Sequence, residues 1–127
     1  MIKMRVLLVD DEVELISTLA ERLLLRGIHA DWSITAEGAL KKIETDQYDI
    51  AVLDVKIPKT SGIELKKLME EKNPEMKFIF ITGHGSEADF RAGTAEAGQE
   101  YYLVKPVNIE DLIRKMKEVL ETNRGLK

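Results

Sequence analysis

The sequence predicts an α/β fold: a single (βα)5 domain built on a doubly wound, five-stranded parallel sheet. Three observations carry that expectation. A short apolar run, then an acid or glycine, then apolar residues at helical spacing recurs five times along the chain. The first run, Val6–Val9, is nearly unbroken aliphatic, which fits a central parallel strand covered by helices on both faces. No linker or low-complexity stretch separates the repeats, so the βα units follow one another directly. Their crossovers force parallel strands with right-handed connections.

Taken in order, the first strand is Val6–Val9, ending at Asp10. Leu15, Ile16, Leu19, Leu23 and Leu24 mark the helix after it, and Gly27 stands where a C′ residue belongs. Ala30, Trp32 and Ile34 alternate with polar neighbours, which predicts a half-buried second strand at a sheet edge, with Trp32 as a packing residue. A helix from Ala36 to about Glu44 follows, with Ala39, Leu40 and Ile43 as its apolar stripe and Gly38 as a weakening residue. Ile50–Leu53 is the third strand, closed by Asp54. A loop holding Pro58 leads to Gly62 and a helix carrying Ile63, Leu65, Leu68 and Met69, stopped by Asn73-Pro74. Phe78–Ile81 is the fourth strand and runs into Thr82-Gly83-His84-Gly85-Ser86. A helix containing Gly93 then spans about Glu87 to Ala97. Tyr101–Val104 is the fifth strand, followed by Lys105-Pro106. Asn108 caps the last helix, whose inward face is Ile109, Leu112, Met116, Val119 and Leu120.

Size and composition narrow the function classes. The 127 residues leave room for one domain, which by area scaling buries roughly two thirds of its unfolded surface. Absence of cysteine excludes a disulfide framework, thiolate zinc and a Cys nucleophile. Two histidines, His29 and His84, exclude a His-rich metal site. Nineteen basic against twenty-three acidic residues, net −4, argue against nucleic-acid binding, which needs clustered Lys and Arg. The apolar runs are too short for a signal-peptide core or a membrane span, so a cytoplasmic protein without membrane contact is expected.

In such a sheet every strand ends on one edge, and ligands bind there at the topological switch point. The first strand brings Asp10 and Asp11 to that edge, with Glu12 beyond. The third brings Asp54, the fourth Thr82 and the fifth Lys105. With the strands ordered 2-1-3-4-5, the carboxylates of strands one and three converge, flanked by a hydroxyl and an ammonium. Three crowded carboxylates repel, and one lysine cannot balance them. A hard divalent cation can, and this oxygen set suits Mg2+, with Mn2+ as its substitute. The cluster then has the parts of a phosphoryl-transfer site. Asp54 is the candidate nucleophile, Lys105 and the cation neutralise phosphoryl oxygens, and Thr82 donates a hydrogen bond. An acid at a strand end is, alone, more often a cap or loop residue. The weight lies in all four positions coinciding on one edge.

Val6-Leu-Leu-Val-Asp-Asp-Glu12, Leu53-Asp54 with Pro58 and Gly62, Ile81-Thr82-Gly83-His84-Gly85 and Tyr102-Leu-Val-Lys105-Pro106, in this order, resemble the receiver domains of two-component response regulators. The resemblance covers the whole chain, residues 1–127, and implies a flavodoxin-like strand order. It implies that Asp54 accepts a phosphoryl group from a sensor histidine kinase or a histidine phosphotransfer protein. Asp10, Asp11, Asp54 and the backbone carbonyl of Lys56 would hold Mg2+, and Lys105 would bind the phosphoryl group. Thr82 would swing toward it, with Tyr102 as the switch aromatic. Lys56 and His84 stand where side chains tune the phosphoryl lifetime. The surface formed by the Gly93 helix, the fifth strand and the last helix would change, controlling a downstream effector, an attached output domain or a phosphorylation-dependent homodimer. Such a domain catalyses only its own phosphorylation and dephosphorylation and is not otherwise an enzyme.

Departures are confined to loop-shaping positions: Ile57-Pro58 and Ser61-Gly62 replace the family's frequent Met-Pro and Asp-Gly, and Glu100 replaces a common Asp. Three rivals are weaker. Gly83-His84-Gly85-Ser86-Glu87-Ala88 fits a dinucleotide-binding fingerprint but follows the fourth strand instead of the first. An aspartyl-phosphatase of the D-x-D kind would need an acid at Lys56. A phosphorylation-independent interaction module would need no intact site, yet every required residue is present.

Overall fold

Burial on both faces of one sheet sets the architecture. The computed structural model describes residues 4–83 and 101–125. Its strands are β1 (Arg5–Val9), β2 (His29–Ser33), β3 (Ile50–Asp54), the two-residue strands β4 (Lys56–Ile57) and β5 (Thr60–Ser61), β6 (Lys77–Thr82) and β7 (Tyr102–Val104). The helices are α1 (Val13–Leu25), α2 (Ala36–Thr45), α3 (Gly62–Lys72) and α4 (Ile109–Gly125). The main sheet runs β2-β1-β3-β6-β7 with each neighbouring pair parallel. This is the expected 2-1-3-4-5 order, with β4 and β5 set apart as a small antiparallel hairpin. The helix expected around 87–97 lies outside the described residues.

Alternate side chains of each central strand enter different cores. Val6 and Leu8 join Ile16, Leu19 and Leu23 of α1 and Leu112, Met116 and Val119 of α4 on one face. Leu7 and Val9 join Ala39 of α2 and Leu65 and Met69 of α3 on the other. Both parities are thus apolar, which is why these strands read as continuous runs.

The helix stripes are narrower than the sequence suggests. Leu24 is 63% exposed and Leu68 45% exposed, although both belong to the apolar residues that mark their helices. A helix turns by about 100° per residue, so the residue after Leu23, and that before Met69, rotates off the buried line. Along β2, Ile34 falls beyond the strand and is exposed, Trp32 is partly exposed, and Ser33 is the buried member. An edge strand has one neighbour, and α1 covers only part of its face. A polar network replaces the missing packing. Tyr48 Oη donates to Asp31 Oδ2 at 2.6 Å, and Arg5 Nη2 donates to the same oxygen at 2.9 Å. Burial alone would raise the Asp31 carboxyl, but Tyr48, His29 and Arg5 together hold it below the usual range.

Helix ends follow their capping residues. Gly27, at φ +81°, is the left-handed C′ residue of α1: its N–H reaches Leu24 O and that of Ile28 reaches Leu23 O, both at 2.9 Å. Thr35 caps α2 through Gly38 N at 3.0 Å, and Asn108 accepts from Glu110 N and Asp111 N at 2.8 and 3.0 Å. Gly38 has a packing reason: a Cβ there would stand 2.5 Å from Ser33 Oγ.

Adjacent leucines test the phase of α1. Leu23→Ala should lower the unfolding free energy by about 2–5 kcal/mol. Leu24→Ala should stay within about 0.5 kcal/mol of the parent. Urea denaturation of both variants measures this, and equal losses would mean that α1 is rotated.

Candidate functional site

Parallel register delivers the site residues to one edge. Val9 pairs with Leu53, Asp54 with Ile81 and Thr82 with Val104, so the chain emerges from four neighbouring strands at nearly one level. Asp10 follows β1 directly and is fully buried; Asp54 and Thr82 end β3 and β6 and are buried too. Asp11 is exposed at the rim. One carboxylate oxygen from each of Asp10, Asp11 and Asp54 lies within 4.8 Å of the other two. Lys105, just after β7, places Nζ 3.2 Å from Asp54 Oδ2 and 3.0 Å from Asp10 Oδ2. The same ammonium is 2.5 Å from Glu12 Oε1.

Local chemistry holds these groups in place. Glu12 N–H donates to Asp10 Oδ1 at 2.8 Å, and Lys56 N–H donates to Asp54 Oδ1 at 3.2 Å. Each carboxylate is therefore fixed by the backbone two residues on. Lys105 N–H donates to Thr82 O at 2.7 Å, tying the β7 exit to the end of β6. Gly62 permits the closest approach. A Cβ there would stand 2.3 Å from the Asp54 carbonyl oxygen, and Gly62 N–H donates to Val55 O at 2.8 Å. The first turn of α3, capped by Ser61 through Glu64 N at 3.1 Å, thus presses against the backbone that carries Asp54.

The electrostatics are unbalanced. Burial pushes the Asp10 carboxyl up to about 6, against the pull of Glu12 N–H and Lys105, and the Asp54 charge adds to the rise. Burial raises Asp54 as well, although Lys105 and Lys56 N–H resist it. Burial also opposes the Lys105 charge, but Glu12, Asp10 and Asp54 outweigh it and hold that lysine above its ordinary value. Asp10 Oδ2 and Thr82 Oγ1 are buried without a hydrogen-bond partner among the described residues. Lys105 Nζ, 3.0 Å away, shares the charge of Asp10 Oδ2 with those of Asp54 and Glu12. A buried, unsatisfied carboxylate oxygen within a three-carboxylate cluster fits a hard divalent cation that keeps several waters.

Of the residues singled out in the sequence, Asp10, Asp11, Asp54, Thr82 and Lys105 share this edge. Tyr102 does not join the cluster: it lies in β7 opposite Phe80 and is 40% exposed. Lys56 is exposed, and His84 lies outside the described residues. In the sequence Glu12 is simply an acid beyond the aspartate pair, yet it makes the shortest contact to Lys105. Its position offered a signal, because it is the N-cap of α1 and glutamate is not among the favoured capping residues.

The raised Asp10 carboxyl has a defined pH signature. Its folded-state value lies above the ordinary 3.8, so its ionisation opposes folding, and this cost grows as pH rises from 3.8 to about 6. Without divalent cations, Asp10→Asn should be more stable than the parent by on the order of 3 kcal/mol near neutral pH. The two proteins should converge near pH 4. Paired urea titrations at both pH values check this, and a gain that persists in acid would assign the effect elsewhere.

Comparison with known proteins accords with this geometry. The response regulator receiver domain family matches residues 6–117. The transcriptional regulatory protein CpxR of Escherichia coli K12 is 35% identical over 116 residues, covering 91% of this chain and 49% of that protein. RprY of Bacteroides fragilis YCH46, also a transcriptional regulatory protein, is 31% identical over 125 residues, covering 98% and 52%. The chain thus spans about half the length of these curated relatives. A CheY-like response regulator receiver domain protein from Methanospirillum hungatei JF-1 superposes with a TM-score of 0.86 at 32% identity, over 99% of this chain and 100% of that one. The response regulator TrrA from Thermotoga maritima, solved in complex with Mg2+-BeF, gives 0.78 at 31% identity over 93% and 99%. With a match across nearly its whole length, the chain belongs to the response regulator receiver domain family, the phospho-accepting regulators of two-component signalling.

Proposed function

We propose that this chain, as one receiver domain over residues 1–127, accepts a phosphoryl group on Asp54. The donor is the phosphohistidine of a sensor histidine kinase or histidine phosphotransfer protein, and the reaction requires Mg2+. The observation that supports this best is the convergence of a buried Asp54 carboxylate, two further aspartates and the Lys105 ammonium on one sheet edge. In the transfer, a carboxylate oxygen of Asp54 attacks phosphorus in line. The new O–P bond forms as the P–N bond breaks, and its electron pair returns to the imidazole nitrogen.

Asp10, Asp11, Asp54 and the Lys56 carbonyl would hold the cation, which supplies positive charge where the phosphoryl oxygens gather. Lys105 contributes a point charge to one of those oxygens. Thr82 Oγ1 is buried and has no hydrogen-bond partner among the described residues, so its proton is free to be donated to another. Tyr102 and Val104 sit at the surface of β7, the strand that leads into Lys105. A displacement at Thr82 or Lys105 would reach that surface directly and shift the domain between two populated states. The altered surface then controls an effector protein, an attached output domain or a homodimer. No helix among the described residues is long and apolar enough to cross a membrane, and a cytoplasmic setting suits a kinase-supplied phosphoryl group.

Two experiments test this reading. With Mg2+ and a small acyl phosphate, intact mass should rise by one HPO3 unit in the parent and not in Asp54→Asn. Full labelling of Asp54→Asn would move the acceptor, and no labelling of the parent would leave a phosphorylation-independent interaction module. Mg2+ at 100-fold excess over its Kd should stabilise the fold by about 2.7 kcal/mol, raising Tm. Asp11→Ala should lose most of that rise; if the rise is retained, the ion binds elsewhere.

A further inference from the structure

The side chain of Glu12 stands apart from the capping chemistry its position invites. As N-cap of α1, with extended backbone angles (φ −86°, ψ 97°), it makes no side-chain capping hydrogen bond. Its carboxylate instead meets Lys105, 93 residues later, at 2.5 Å. Contacts of the same ammonium to Asp10 and Asp54 are longer, at 3.0 and 3.2 Å. Glu12 is also outside the group of carboxylates close enough to share a cation, which is Asp10, Asp11 and Asp54.

These facts separate the three partners of Lys105. A cation held by Asp10, Asp11 and Asp54 would replace the lysine as their counter-charge. It would leave the Glu12 contact intact, because Glu12 is not among the residues grouped around it. An ammonium has three N–H bonds and no further capacity. With one directed to Glu12, part of its charge is withdrawn from whatever occupies Asp54.

Resting on the phosphoryl-acceptor reading above, we propose that Glu12 is a positioning residue that latches Lys105 in the unphosphorylated state and competes with the phosphoryl group for it. Phosphorylation transfers the ammonium from Glu12 to a phosphoryl oxygen. Release is felt at the start of α1, because Glu12 N–H is bonded to Asp10 Oδ1 and Glu12 O accepts from Ile16 N at 3.1 Å. The state of Asp54 is therefore reported to the first turn of α1 as well as to β7. The Glu12 side chain is 60% exposed and the Lys105 side chain 19% exposed, so the pair is a weak, reversible clasp and not a buried bridge.

Beryllofluoride binding at saturating Mg2+, followed by calorimetry, tests the latch. Glu12→Gln and Glu12→Ala should bind beryllofluoride about two- to fivefold more tightly than the parent, the upper part of the range for a partly exposed ion pair. In a Lys105→Met background the same Glu12 changes should have no effect, since no ammonium remains to be held. Unchanged or weaker binding in the Glu12 variants overturns the latch. An equal gain in the Lys105→Met background also overturns it, since that gain would be general charge relief. If the parent binds no beryllofluoride with Mg2+ present, the acceptor reading itself falls, and the latch with it.

Discussion

The parallel pairing of β1 with β3 is the constraint on which the rest of this molecule depends. Val6 to Val9 pair with Ile50 to Leu53, so the next residues on, Asp10 and Asp54, lie at the same level. Asp10 and Asp54 are thereby delivered side by side at the edge where the backbone turns into loops. Neither residue chooses the other directly. Apolar burial on two faces selects the register, because a one-residue slip would exchange the contents of the two cores. The site's carboxylates are packed together by forces that act elsewhere in the sheet, and their mutual repulsion is tolerated because that burial is large.

Lys105 makes the crowded edge tenable in the absence of a cation. Its ammonium lies within 3.2 Å of three carboxylates, two of them buried. It does not complete the balance, since Asp10 stays well above the usual carboxylate range and one of its oxygens has no hydrogen-bond partner among the described residues. Stability is given up at this edge so that positive charge has somewhere to go. The glycine at position 62 has the same logic in steric form. It lets α3 close against the backbone of Asp54, where any Cβ would collide. Charge and shape at the site are thus both set by what the surrounding fold allows.

The polar network at β2 shows a different use of charge. Arg5, Asp31 and Tyr48 join the start of β1, the edge strand and the approach to β3, with Arg5 also over the Tyr48 ring at 5.1 Å. Here opposite charges are paired and the carboxyl is held low, the reverse of Asp10. Paired groups secure an edge that has little apolar cover, whereas the site's three carboxylates share one lysine where a ligand is expected. The contrast between the two clusters is itself a guide to which one binds something.

Much of this was legible from residue order alone. The five apolar runs, the strand-end acids, Thr82 and Lys105 carry the fold class and the site, because period and position along a βα unit are local properties. Gly27 and Asn108 announced their helix ends for the same reason. Helix phase was not legible to the last residue: Leu24 and Leu68 are as apolar as their neighbours, and only the packed sheet decides which of them faces it. The hairpin of β4 and β5 was missed because its strands are two residues long, too short for any period to register. Gly38 and Gly62 looked like weaknesses or loop residues until the atoms opposite them were known. Glu12 is the clearest case. The sequence placed it beside two aspartates, but its partner is 93 positions away, and only the closing of the sheet brings Lys105 within reach.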